Sequence, residues 1–118
     1  MTTLYEKIGG EKAIATAVDI FYEKVLADDT VNHFFTNTDM DKQRSHQTKF
    51  LSFALGGPNQ YTGQSMEKAH QGMNIQPVHF KAIANHLAST LRELNVDEND
   101  VNVVLEKVGS LESDILYK

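Results

Sequence analysis

The chain has 118 residues, 41% of them hydrophobic and 23% charged, with 11 Lys and Arg against 16 Asp and Glu for a formal net charge of −5. That length suits one domain over 1–118 whose folding removes roughly two-thirds of the unfolded surface from water, while an acidic balance without a basic cluster argues against nucleic acid and anionic lipid. With no cysteine there is no disulfide, thiolate ligand or cysteine nucleophile; no stretch approaches the ~18 apolar residues of a membrane span, and MTTLYEKIGG lacks a signal-peptide pattern, so a cytoplasmic protein is expected.

Leu4, Tyr5 and Ile8 predict a short first helix, stopped by Gly9-Gly10, which tolerate positive φ. Ala13, Ile14, Ala17, Val18, Phe21, Tyr22, Val25 and Leu26 recur at steps of three and four and predict a second helix to about Ala27. Asp28-Asp29-Thr30 breaks it, and Val31 to Phe35 is at most a helical turn. Asp39 is placed to cap a third helix, MDKQRSHQTKFLSFAL, ended by Gly56-Gly57-Pro58. Asn59 to Gln64 reads as polar loop, and Ser65 can cap a short helix holding Met66, Ala69, His70 and Met73. Pro77 suits the first turn of a helix through Val78, Ile83, Leu87, Leu91 and Leu94. Asp97 caps a last helix carrying Val101, Val104, Leu105, Val108, Leu111 and Ile115. No alternating run competes, so the expected class is all-α.

The third helix holds the anomaly. Its inward stripe should read Met40, Gln43, Gln47, Phe50 and Ala54, with His46 at its rim, so two amides occupy places where a core helix wants aliphatics. Burying an unpartnered amide costs roughly 1–3 kcal/mol, which points to a pocket containing something polar; a rotated helix would instead turn both amides to solvent.

Metal or acid-base chemistry would have to come from five histidines. His70, with Met66 and Met73 at i−4 and i+3, has the most ligand-like setting, although a histidine on an apolar face is more often a satisfied core residue. His79 and His86 are two turns apart on one helix, about 10 Å, too far to chelate one ion together, and with His33 they read as surface or boundary residues. The acids at Asp28-Asp29, Asp39/Asp41 and Asp97/Glu98/Asp100 sit at helix ends, where capping and the helix dipole account for them. The glycine-rich turns lack the Lys-Ser/Thr or preceding strand of a phosphate loop.

LYEKIGG, FYEKVLAD, HFFTNTDMDKQRSHQTKFLSFALGGPNQYTGQSM, and the AH at His70 followed by HF at His79-Phe80 together resemble the group I truncated haemoglobins of cyanobacterial type, from about Leu4 to Leu116. The resemblance implies a two-over-two helical sandwich around one non-covalent haem b. It places His70 on the proximal iron ligand, and Tyr22, Gln43 and Gln47 on the distal donors to a bound gas. Phe35 falls on the phenylalanine packed against the porphyrin and Phe50 beside the haem and ligand tunnel. Lys42, Arg44 and Tyr61 fall near the propionates. His46 falls where some members have a histidine that binds iron in the ligand-free protein, with the alternative that it stays in solvent.

Three departures stand out. Gln64 occupies a place where many relatives carry Arg or Lys, and MNIQPVHF is shorter than the same connection in some cyanobacterial members. LESDILYK has no histidine, so a histidine-to-vinyl haem link is not available from that segment and exchangeable haem is expected. The function implied is reversible binding of dioxygen, with nitric oxide and carbon monoxide as further ligands, by a monomer. The alternative is a haem enzyme, a nitric oxide dioxygenase or peroxidase-like, which would need an external reductase.

Overall fold

The computed structural model describes residues 3–57 and 72–117, and within them the chain is helical. Helix α1, Leu4–Ile8, begins where the Thr3 hydroxyl accepts the Glu6 N–H at 3.1 Å, a cap the sequence reading passed over. Gly9, at φ 125°, turns the chain at once into α2, Gly10–Leu26; a side chain there would be strained and would press on Ala13. On α2 the expected stripe is buried at Ile14, Ala17, Val18, Phe21, Tyr22 and Val25. That width of apolar face lets α2 pack against α1, the turn at Asn32–Phe35 and two later helices, Met40–Ala54 and Pro77–Glu93.

After Ala27 the Asp28 carbonyl accepts from the N–H groups of Val31 and Asn32, and a 3-10 turn follows at Asn32–Phe35. Helix α3 is Met40–Ala54, and its Asp39 carboxylate accepts the Lys42 N–H at 3.3 Å, as the capping argument required. Its rotation differs from expectation. The fully buried positions are Thr48, Leu51, Ser52 and, just past its end, Leu55, while Met40, Gln43, Gln47, Phe50 and Ala54 are half-buried. The core takes α3 by its aliphatic and small residues, and the amides lie along the border of that contact. The Ser52 hydroxyl is fully buried and has no hydrogen-bond partner among the described residues.

Helix α4, Pro77–Glu93, starts on its proline and buries Leu87, Ala88, Thr90 and Leu91; helix α5, Glu98–Gly109, packs on it. Asp97 caps α5 by accepting from the Asn99 N–H at 2.9 Å. The expected single last helix is broken: the Ser110 hydroxyl donates to the Lys107 carbonyl at 2.6 Å and the Leu111 N–H to the Val108 carbonyl, so the chain restarts as α6, Glu112–Ile115. Gly109 followed by a serine able to hydrogen-bond locally supplies the physical reason. Beyond α6, Leu116 forms an isolated parallel bridge with Ile75, and the Tyr117 N–H donates to the Ile75 carbonyl at 2.9 Å.

Ile14, Val18, Val25, Val31, Leu51, Leu87, Leu91, Val101 and Val104 form one continuous apolar cluster. Tyr5 fastens α1 to it from outside. Its hydroxyl accepts the Glu11 N–H at 3.0 Å, its own N–H donates to the Leu55 carbonyl at 2.9 Å, and its ring lies where a side chain on Gly57 would have to go, 2.7 Å from an added Cβ.

Candidate functional site

Tyr22 is in the last third of α2 and is 2% exposed. Its ring is held edge-on by two others, Phe21 at a centroid distance of 5.0 Å and Phe35, from the 3-10 turn, at 5.7 Å. The hydroxyl emerges from this aromatic socket towards α3, where Gln43 Nε2 donates to it at 3.0 Å. Burial holds the phenol above its ordinary pKa, opposed by that hydrogen bond and by the positive charge of Arg44. Tyr22 therefore stays protonated at every pH near neutrality, and because its oxygen serves as the acceptor for Gln43, its own O–H remains available to donate.

Gln47 follows Gln43 by one helical turn on the same side of α3, and Phe50 continues that row; both are half-buried. The fold thus brings together a buried phenol, two amides and the Phe35 ring, a set rich in donors. Arg44 lies between Asp41, at 3.6 Å, and Asp19 of α2, at 3.7 Å. Lys42 and His46 are exposed on α3. Tyr61 and His70 lie outside the described residues, and no cluster of three or more metal-ligating side chains occurs among those described.

Contacts of the remaining histidines escaped the sequence reading. His86 Nε2 meets Asp28 Oδ2 at 2.7 Å across 58 residues, and the same carboxylate accepts the Thr30 N–H; the His86 bond is the main cause that lowers the Asp28 pKa. His79 accepts the Gln76 N–H on Nδ1 at 3.1 Å. The spacing Gln-Pro-x-His could have disclosed that cap, since the residue three past an N-cap is where side chains reach back to it. Nothing local announces the Asp28–His86 pair. A cleft of about 270 Å³ lined by Ile8, Ala13, Thr16, Leu94 and Val96 is near the opposite end of α2 and includes none of the residues of the donor set.

The chain matches the family model described as bacterial-like globin over residues 3–117. A group 1 truncated haemoglobin of Tetrahymena pyriformis is 52% identical over 116 residues, 98% of this chain and 96% of that one. One from a Synechocystis species is 45% identical over 114 residues, 93% and 92% of the two chains. The crystal structure of the Tetrahymena pyriformis protein in its Fe(III) form, 52% identical over 98% of this chain and 99% of that one, superposes with a TM-score of 0.95. A Synechococcus 2/2 haemoglobin in the cyanomet state with covalently attached haem, 48% identical over 97% and 98%, gives 0.91. Other structures of the Tetrahymena pyriformis protein carry a tyrosine-to-phenylalanine or either of two glutamine-to-glutamate substitutions, and those three positions have the same separations as Tyr22, Gln43 and Gln47.

Proposed function

The chain belongs to the bacterial-like globins, and within them to the group 1 truncated haemoglobins with their two-over-two helical sandwich; from that premise we propose that it carries one non-covalent haem b and holds dioxygen reversibly through hydrogen bonds from α2 and α3. The observation that carries this reading is the bond from Gln43 to Tyr22: the amide donates to the phenol, which leaves the phenol's proton for a third party. The donor set fits the cofactor. A bound diatomic gas is an acceptor, and the side chains brought together offer one O–H, two amide NH₂ groups and an aromatic wall.

When bound, haem supplies the iron to which the gas coordinates and which shifts electron density onto it. Everything else in the proposal is the work of side chains. Tyr22 donates to the gas from a rigid aromatic socket, so little rotamer freedom is lost when the bond forms. Gln43 orients the phenol, and Gln47 offers a further amide one turn on. Among the described residues no carboxylate belongs to the set, and Arg44 pairs with the two nearby, Asp19 and Asp41. A set of hydrogen-bond donors suits holding a polarised gas, which favours binding over turnover as a nitric oxide dioxygenase or peroxidase.

His70 is the proposed proximal ligand, and Phe35, Lys42, Arg44, Phe50 and Tyr61 the proposed haem contacts. His46, exposed beside Gln47, is the proposed ligand of the gas-free iron, reached when α3 shifts. A C-terminal segment without histidine supports exchangeable haem; the protein is proposed to be a monomer that also takes nitric oxide and carbon monoxide, and the lack of cysteine is compatible with the reducing cytoplasm proposed as its location. Any catalytic cycle would draw electrons from an external reductase.

Absorption spectra of the purified protein in ferric, ferrous, carbonmonoxy and air-equilibrated ferrous forms test the reading. A Soret band that responds to each gas and reverts on its removal is expected. A protein that shows no Soret band after titration with haemin would refute it.

A further inference from the structure

Three histidines that the proposed function does not use, His33, His79 and His86, line the seam between α4 and the turn after α2. His79 is the third residue of α4 and is joined to the backbone before the helix. Its Nδ1 accepts the Gln76 N–H at 3.1 Å, and its own N–H donates to the Gln76 carbonyl at 2.9 Å. The segment ending at Gln76 is held at each step. Gln76 Nε2 donates to the carbonyl and Oδ1 oxygens of Asn74, Ile75 is 4% exposed, and the Ile75 carbonyl accepts from Tyr117. On its other side the His79 ring stands edge-on to His33 at 5.6 Å and to Phe34 at 5.0 Å. Phe34 adjoins Phe35, whose ring packs on Tyr22.

We propose that His79 is a positioning residue that joins the two walls of the pocket, fixing through Nδ1 the backbone that continues from His70 into α4 and through its ring the turn that carries Phe35. It rests on the function proposed above in assigning the iron to His70, six residues before Gln76 in the chain.

An imidazole that accepts at Nδ1 carries its single proton on Nε2, and among the described residues His33 is the side chain that faces the edge of this ring from the 3-10 turn together with Phe34.

Two variants of the holoprotein separate the ring from the acceptor. His79→Phe keeps a ring against His33 and Phe34 but accepts nothing; His79→Asn keeps an oxygen close to the place of Nδ1 and loses the ring. Amide exchange of Gln76 is read by NMR, and the ferrous iron–histidine stretching band by resonance Raman in a His46→Leu background, where the proposed sixth ligand is removed. In His79→Phe the Gln76 protection factor should fall about three- to tenfold, the loss of one net hydrogen bond, and the Raman band should shift or broaden. His79→Asn should keep Gln76 protected as in the parent protein. Unchanged protection and an unmoved Raman band in His79→Phe would overturn the proposal, as would a loss of Gln76 protection in His79→Asn. Because Gln76 protection is read without any haem signal, a protein without a Soret band would refute the haem reading and leave this join to be judged on its own.

Discussion

Replacing Tyr22 by Phe removes one oxygen from the centre of the donor set and leaves the surrounding aromatic packing in place, since the ring contacts with Phe21 at 5.0 Å and Phe35 at 5.7 Å involve carbon alone. Two hydrogen bonds are lost: the one accepted from Gln43 and the one proposed to be donated to the gas. The first is recoverable, because Gln43 is half-buried and its amide can turn to water. The second is not, and a hydrogen bond to a partly charged acceptor contributes about 1.5–3 kcal/mol. At 1.4 kcal/mol per factor of ten, dioxygen release should quicken by roughly ten- to a hundredfold. Carbon monoxide, a poorer acceptor, should leave at nearly the wild-type rate. Stopped-flow replacement of each gas by the other measures both constants on one preparation. Equal acceleration for the two gases would refute direct donation and assign Tyr22 to access instead. A pH series adds a sign test. Burial raises the Tyr22 pKa above that of the unfolded phenol, so its neutral form stabilises the fold fully below about pH 10, and that contribution is lost as the pH rises through the raised value. Tyr22→Phe should abolish this alkaline loss.

His70→Gly should abolish haem retention or leave a pocket whose spectrum is restored by added imidazole; an unaltered spectrum would remove His70 from the proximal position. In His46→Leu the ferrous gas-free spectrum should change from low-spin to high-spin, and carbon monoxide should bind without a slow phase; a wild-type ferrous protein already high-spin near neutral pH would count against His46 as a ligand. The Asp28 carboxyl titrates below its usual range chiefly because His86 hydrogen-bonds to it, so it contributes stability above about pH 3.8 that disappears as the pH falls through the lowered value. Denaturant midpoints followed from pH 6 to pH 2 should show His86→Ala losing part of that acid dependence. Ser52→Ala should be neutral or stabilise by about 1 kcal/mol, since it removes a buried hydroxyl that has no partner among the described residues; a loss above 2 kcal/mol in urea unfolding would show that the hydroxyl is satisfied in solution.

The helices that position the site were legible because their signals are local. Asp39, Asp97 and Pro77 each act within one turn of their own position, and the stripe from Ile14 to Val25 repeats at the helical period. The rotation of α3 was not, because Thr48 and Ser52 are small enough to pack against a neighbour and polar enough to suggest solvent; which tendency wins depends on the helix across the interface. The break after Gly109 depends on one short hydrogen bond from Ser110, too weak a pattern to outweigh Leu111 and Ile115 in the apolar period. Asp28 and His86 illustrate a wider limit. Each looks adequately explained by its own surroundings, and only packing α4 against α2 brings them together.

The anchoring of α1 by Tyr5 bears on how this pocket could be moved to another scaffold. The far end of α3 finishes on Leu55 and Gly57, whose backbone groups are closed over by the Tyr5 N–H and ring, and Tyr5 is tied in turn to the start of α2 through Glu11. A graft of α2 and α3 that dropped the first eight residues as a dispensable leader would bare the end of the helix bearing Gln43 and Gln47. A graft of these helices must therefore start no later than Thr3, and an N-terminal fusion needs a spacer ahead of Thr3 so that the short helix can still fold back.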